Sequence, residues 1–255
     1  MLIVIDPTAR RTDGEAVRIA RDVLCAAPGE ATVCVLEGPQ ALTRVLSRRR
    51  GRRLVIVGDD GALLRTVRLL HHNGELGTSR LAMVPVGPGP TVAVAHALGV
   101  PTDAVAASRT VLTGTDRRLD VLTDDAGGVV LGPLGIPAPR ARSAGATALW
   151  WRTVHRPRQR LRVEADGRVL VDVDRPVAGV SVRAADGLAE VVVRPRQAGA
   201  DVSARAVSVT VSGPGFSYRA DAVDQGPTRA RTWTVLPGAL RLTVPAQGAG
   251  RPRGR

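Results

Sequence analysis

The sequence predicts an α/β architecture: an N-terminal three-layer domain built on a parallel sheet, followed by an antiparallel β-sandwich domain. Three observations carry that expectation. In the first half, short runs that are apolar on both faces alternate with amphipathic helical stretches, the pattern of strands buried between two helix layers. After Asp120 the alternation stops and the chain becomes rich in Pro, Gly and Ala. From Leu161 the apolar period becomes two, with Asp-Gly turn signals between the runs, as in antiparallel hairpins.

Each element follows in order. "LIVID" (2–6) reads as a first buried strand, and 13–27 as a helix with Val17, Ala20 and Leu24 on one face. "ATVCVLE" (31–37) is a second strand and 39–48 a second helix. "RLVIVG" (53–58) is a third strand, 61–72 a third helix, and "LAMVPV" (81–86) a fourth strand followed by a helix over 91–98. Residues 124–154 read as a connector with one short strand. Leu161 and Val163 pair with Val169, Val171 and Val173 across "ADG", and "VSVRAADGLAEVVV" (180–193) repeats the device. "VSVTVSGPGFSYRA", "RTWTVL" and "LRLTVP" complete the β region. The expected division is therefore an α/β domain over 1–123, the connector, a sandwich over 155–245 and a disordered basic tail over 246–255.

Composition narrows the function. With 255 residues and 44% apolar content the chain can bury a real core, and with 2% aromatics that core must be made of Val, Leu and Ala. No apolar run reaches the length of about 18 residues that a membrane helix needs, and "MLIVID" has no signal-peptide pattern, so a cytoplasmic location is expected, peripheral to the membrane at most. Cys25 and Cys34 make neither a disulfide framework nor a metal site. The formal charge is +13, and all 36 basic residues are arginine. A basic surface attracts phosphate. The absence of lysine excludes a Walker-type phosphate loop and the protein-kinase strand lysine.

Three turns fall at the carboxyl ends of the predicted parallel strands, where ligands of such sheets bind. In Gly58-Asp59-Asp60-Gly61, glycine lets backbone N–H groups approach a phosphate while the next helix adds a favourable field. The structural alternative is equally physical: Asp60 caps helix 61–72 and the glycines permit the turn. Two carboxylates would repel a phosphate unless a metal intervenes. "PVGPGP" (85–90) can wrap a phosphate or ribose, although Pro88 and Pro90 supply no N–H. "DPTAR" (6–10) offers the Thr8 hydroxyl, and a plain strand-end turn explains it as well. His71, His72, His96 and His155 have no metal-ligand spacing. "RRRGRR" (48–53) reads as a solvated loop, and with one Phe and one Tyr a stacking platform for nucleic acid is not expected.

Taken together, "DPTAR", "GDDGALL", "PVGPGPTVA" and "GTDRRLDV" (114–121), with "DGLAEVVV" and "FSYRADAVDQGP" later, resemble the motifs of the diacylglycerol kinase catalytic family. The resemblance extends from Met1 to Pro245 and implies an NAD kinase/diacylglycerol kinase-like fold. It implies ATP and Mg2+ as cofactors and transfer of the γ-phosphate to a lipid hydroxyl. Thr8, Gly58, Asp60 and Gly61 would lie at the phosphates and magnesium, with Asp60 the tentative metal ligand. Gly87 and Gly89 would form the second nucleotide loop, and Asp221 would be the general base on the lipid hydroxyl.

This sequence departs from the family pattern at several of its positions. The first Asn is Asp6 and the closing glycine Arg10; the second Gly of Gly-Gly-Asp-Gly-Thr is Asp59 and its Thr is Ala62. Pro88 and Pro90 replace Thr and Asn, and the late Asp-Gly-Glu reads Asp221-Ala222-Val223. Arg10 and Arg65 are the cations available to offset Asp59. Three functions stay open: a divergent lipid kinase, a non-catalytic descendant that binds a ligand or partner, and a nucleic-acid-associated protein carried by charge alone. Expected partners are ATP, a lipid substrate at the membrane surface and a second copy of the chain; nucleic acid is not expected.

Overall fold

The computed structural model describes residues 1–49, 51–137, 159–197 and 199–246. The chain divides into two compact units, Met1–Leu119 with Gly238–Arg255, and Asp120–Pro237.

In the first unit the expected strands form a parallel sheet. Its members are β1 (Leu2–Ile5), β2 (Thr32–Val35), β3 (Leu54–Gly58), β4 (Leu81–Pro85) and the end of a late strand, in the order late strand, β4, β3, β1, β2. Every residue of β1, β3 and β4 is buried, which is why these runs read as continuously apolar. Helices α1 (Pro7–Thr12), α2 (Gly14–Ala26), α3 (Pro39–Ser47), α4 (Asp60–His72), α5 (Ala93–Ala97) and α6 (Ala104–Thr113) supply the two outer layers. Ile3, Ile5, Val55, Val57, Ala82 and Val84 pack on one face against Val17, Ala20 and Leu24 of α2 and Ala107 and Val111 of α6. Val4 and Ile56, one residue out of phase, face Leu42 of α3 and Ala62 and Thr66 of α4. Burial of a Leu, Ile or Val side chain contributes about 1.5–3 kcal/mol, so this two-sided core outweighs the modest propensities of the individual segments.

The second unit is antiparallel. The chain enters it within β5 (Thr115–Asp124) and continues through β6 (Val129–Val130), β7 (Leu134–Ile136), β8 (Arg162–Ala165), β9 (Arg168–Val171), β10 (Val177–Ala185), β11 (Leu188–Pro195), β12 (Val202–Ala206), β13 (Ser208–Ala220) and β14 (Val223–Val244). The hairpins β8–β9, β10–β11 and β13–β14 match the period-two runs. The first half of β13 pairs with β8 and its last residues with β7, so this strand serves two neighbours along its length. The core is Val-rich, and the lone Phe and Tyr, Phe216 and Tyr218, gather there beside Trp233, with Tyr218 and Trp233 meeting edge-on at 5.1 Å.

The fold agrees with the expected class and departs in four details. "DPTAR" is not a bare turn but the start of α1, capped by Asp6 with Pro7 at its first position. The stretch between 98 and 114 contains α6, capped by Asp103 through the N–H of Ala106. The expected helix over 91–98 is a 3-10 turn, Gly89–Thr91, followed by the shorter α5. The end of β14, assigned from sequence to the sandwich, returns to the first unit, where Leu242 pairs in parallel with Leu81. Connector residues 138–154, His155 and the tail beyond residue 246 lie outside the described residues.

Candidate functional site

The site is built at the carboxyl ends of β1, β3 and β4. β3 ends in Gly58, whose N-terminal neighbour Val57 accepts the Asp6 N–H (2.9 Å), while Gly58 itself accepts the Val86 N–H (2.8 Å). Three strand ends are thereby held side by side. A Cβ on Gly58 would stand 2.9 Å from the Ala62 Cβ and 3.0 Å from the Asp6 Cβ, so glycine is required for packing there. Gly87, at φ +148°, faces Thr91, whose Oγ1 would lie 2.6 Å from an added Cβ, with the Asp59 Cβ 3.8 Å away. Thr8, Gly58, Gly61 and Gly87 therefore gather around Asp6 and Asp59. A Cβ added at Gly89 would meet nothing within 4 Å, so no close approach requires glycine there.

The carboxylates of the turn are engaged within the fold. Asp59, not Asp60, is the N-cap of α4: its Oδ1 accepts the Ala62 N–H at 2.9 Å, and its carbonyl accepts the N–H groups of Ala62 and Leu63. The sequence reading placed the cap one residue late. Asp60 is the first helical residue, 6% exposed, and accepts the N–H groups of Val94 (2.8 Å, Oδ2) and Ala95 (2.9 Å, Oδ1), tying α4 to α5. Burial raises the Asp60 pKa, these two N–H groups pull it back, and the neighbouring Asp59 charge raises it further; the net direction is upward.

Asp6 stands where the family pattern has Asn. It is 4% exposed and accepts the Thr8 N–H at 2.9 Å and the Thr8 hydroxyl on Oδ1. Its Oδ2 takes the Arg65 guanidinium at 2.5 Å. Burial raises the Asp6 pKa, but the Thr8 hydrogen bonds and Arg65 outweigh it, and the net direction is downward. Arg65, half-exposed, thus serves Asp6 by ion pair, and its position is fixed by a residue that the family pattern lacks. The second loop is folded on itself: Thr91 donates both its N–H and its hydroxyl to the Pro88 carbonyl, at 2.8 and 2.9 Å.

Asp221 belongs to the second unit. It occupies the two-residue turn between β13 and β14, where Asp221 (φ 49°) and Ala222 (φ 64°) are both left-handed, the requirement of a type I′ hairpin. Its buried carboxylate accepts the Leu131 N–H on Oδ2 (2.9 Å) and the Gly132 N–H on Oδ1 (2.7 Å). Sequence reasoning missed this anchoring role. It missed too the part played by three arginines of the "RRRGRR" run. Arg49 is buried against Ser79 (2.7 Å) and Glu75 (2.9 Å), Arg52 reaches Thr32 (2.8 Å), and Arg53 reaches Thr243 (2.6 Å). These are fold contacts, not a solvated loop.

The residues present do not fit a magnesium-bound triphosphate. A carboxylate caps the helix start where a phosphate would ride, the second loop contains two imino acids without N–H, and both Asp60 oxygens accept main-chain N–H groups. Among the described residues no group of three or more His, Cys, Asp or Glu side chains could hold a metal ion.

Residues 1–123 match the family model of the diacylglycerol kinase catalytic domain. A search of curated proteins found no match. Solved structures resemble the chain over nearly its full length. One is a crystal structure of a diacylglycerol kinase from Bacillus anthracis str. Sterne, with TM-score 0.69, 15% identity, and coverage of 95% of this chain and 96% of that one. Two further structures, described as candidate diacylglycerol kinases from the same strain, give TM-scores of 0.72 and 0.75 at 15% identity, covering 95% of this chain and 96% and 94% of theirs. At that identity the likeness concerns the fold, and no helix among the described residues is long and apolar enough to cross a membrane. Residues 1–123 thus resemble a diacylglycerol kinase catalytic domain, with departures in the nucleotide motifs.

Proposed function

We propose that this protein is a non-catalytic member of the lipid-kinase lineage, a module that binds a ligand or partner on a kinase fold whose nucleotide turn now serves the fold itself. The observation that carries the reading is the Asp59 cap. Its Oδ1 takes an N–H of the α4 first turn, and its charge stands where the backbone would meet phosphate. A charge-assisted hydrogen bond is worth about 1.5–3 kcal/mol. Losing several such contacts to a triphosphate, and adding a like charge, weakens binding by orders of magnitude, at about 1.4 kcal/mol per factor of ten.

A second reading, an ATP-dependent lipid kinase, is favoured by one specific feature: Gly58, Asp60, Gly61 and Asp221 stand at the matching positions of the family pattern. In that reading Asp221 would hold the proton of the lipid hydroxyl, and Gly58, Asp60 and Gly61 would have to hold the ATP phosphates and magnesium. Transfer of labelled phosphate from ATP to a lipid extract, with Asp221→Asn as control, separates the two. The proposal expects no labelled lipid from either protein. Label transferred by the native chain and lost in Asp221→Asn would overturn it and establish the kinase.

A further inference from the structure

The sheet of the first unit ends at β2, a strand of four residues with nothing paired on its outer side among the described residues. Thr32 and Leu36 donate their N–H groups to the carbonyls of Met1 and Ile5. By the alternation of a parallel ladder, Val33 and Val35 therefore turn their N–H and C=O groups outward. The two residues are 36% and 39% exposed. Natural sheets blunt such an edge by shortness, proline, a bulge or charges on the strand; β2 is short, and "TVCV" has none of the other three.

Beside this edge, between β2 and α3, lies a groove of about 460 Å³ lined on its α3 side by Ala41, Arg44, Val45 and Arg48. Arg44 and Arg48 are exposed, and neither forms an ion pair among the described residues. Arg52, also in the lining, is already bonded to Thr32. One acid, Glu37, shares the lining with these three cations. An incoming strand would set alternate side chains over Val33 and Val35, and the others on the opposite face towards Arg44 and Arg48.

We propose that the β2 edge is a docking site for an extended acidic segment of a partner protein. The segment adds as a strand outside β2, with apolar residues on the valine face and carboxylates on the α3 face. Charge complementarity selects this occupant. Residues 138–158 and 247–255 of the chain itself contain arginines and no acidic residue, and a second copy would bring its own Arg44 and Arg48 against these. The proposal is independent of whether the turn at 58–61 binds nucleotide.

The test is fluorescence anisotropy with a labelled peptide of alternating Val and Glu, about eight residues long, enough for one added strand. The same peptide with Lys for Glu is the control. Saturable binding of the acidic peptide alone is expected, weakened at least about tenfold by Arg44→Glu with Arg48→Glu, and again by high salt. Val35→Pro removes an outward N–H without touching the β1 ladder and should abolish binding. Both charge-reversed residues are exposed, so that variant carries the test even where the proline variant unfolds. No binding of the acidic peptide, or equal binding by the charge-reversed chain, would overturn the proposal. So would concentration-dependent dimerisation in sedimentation that competes with the peptide, which would assign the edge to a second copy.

Discussion

Asp60 and Asp221 sit in different units, yet both are 6% exposed and both turn their oxygens onto two consecutive main-chain N–H groups, Val94 and Ala95 for one, Leu131 and Gly132 for the other. What differs is where each turn is uncomfortable. Around Asp60 the discomfort is electrostatic, because Asp59 is its neighbour and burial already disfavours its charge. Around Asp221 it is conformational, because Ala222 holds φ 64° without being glycine. Two residues that the family pattern assigns to chemistry are here main-chain anchors, and the cost of each is of a different kind.

The largest effect that sharpens this comparison is loss of the anchors. Asp221→Ala leaves two buried N–H groups without their acceptor and should cost about 2–4 kcal/mol in urea unfolding. Asp60→Ala should cost less, because it also removes a carboxylate held under like-charge strain. An equal or larger loss at Asp60 would break the contrast.

Next comes the pair that neutralises Asp6. Asp6→Asn restores the family's residue but forfeits the Arg65 ion pair, for about 1.5–3 kcal/mol at neutral pH. The folded-state pKa of Asp6 is depressed, so its stabilisation is present above the unfolded value of about 3.9 and is lost as pH falls through the lower folded value. Melting curves of the two proteins should therefore converge on acidification below about pH 4. Curves that stay apart in acid would show that Asp6 acts by shape instead of charge.

The smallest effect has the opposite sign. Ala222→Gly removes a left-handed penalty of about 1–2 kcal/mol for a residue with a Cβ, against about 0.5–1 kcal/mol of added unfolded-chain entropy. It should raise stability by about 0.5–1 kcal/mol, and a loss would show that the turn carries no strain.

Much of this was legible in the sequence. The buried strands announced themselves because nothing polar interrupts Leu54–Val57 or Leu81–Val84, and the Asp-Gly hairpins because their turns demand those residues. The caps were legible in part. Asp6-Pro7 and Asp103 carry the ordinary signal of a helix start, and heeding it would have found α1 and α6. Choosing Asp59 over Asp60 was not legible, since both are good caps and the decision depends on Val94 and Ala95, 34 and 35 residues away from Asp60. The return of β14 to pair Leu242 with Leu81 is a long-range choice that no local pattern encodes. The same holds for Asp221: its type of residue was visible, but its bond to Leu131 and Gly132 was not.

In this protein the Asp59 carboxylate stands at the start of α4, where related turns meet a phosphate. Calorimetric titration of the native chain and of Asp59→Gly with Mg-ATP tests it directly, since glycine at a cap costs only a few tenths of a kcal/mol relative to Asp. A native Kd weaker than about 1 mM is expected, with binding at least about tenfold tighter in Asp59→Gly. Native binding in the micromolar range, unimproved by the glycine, would contradict it.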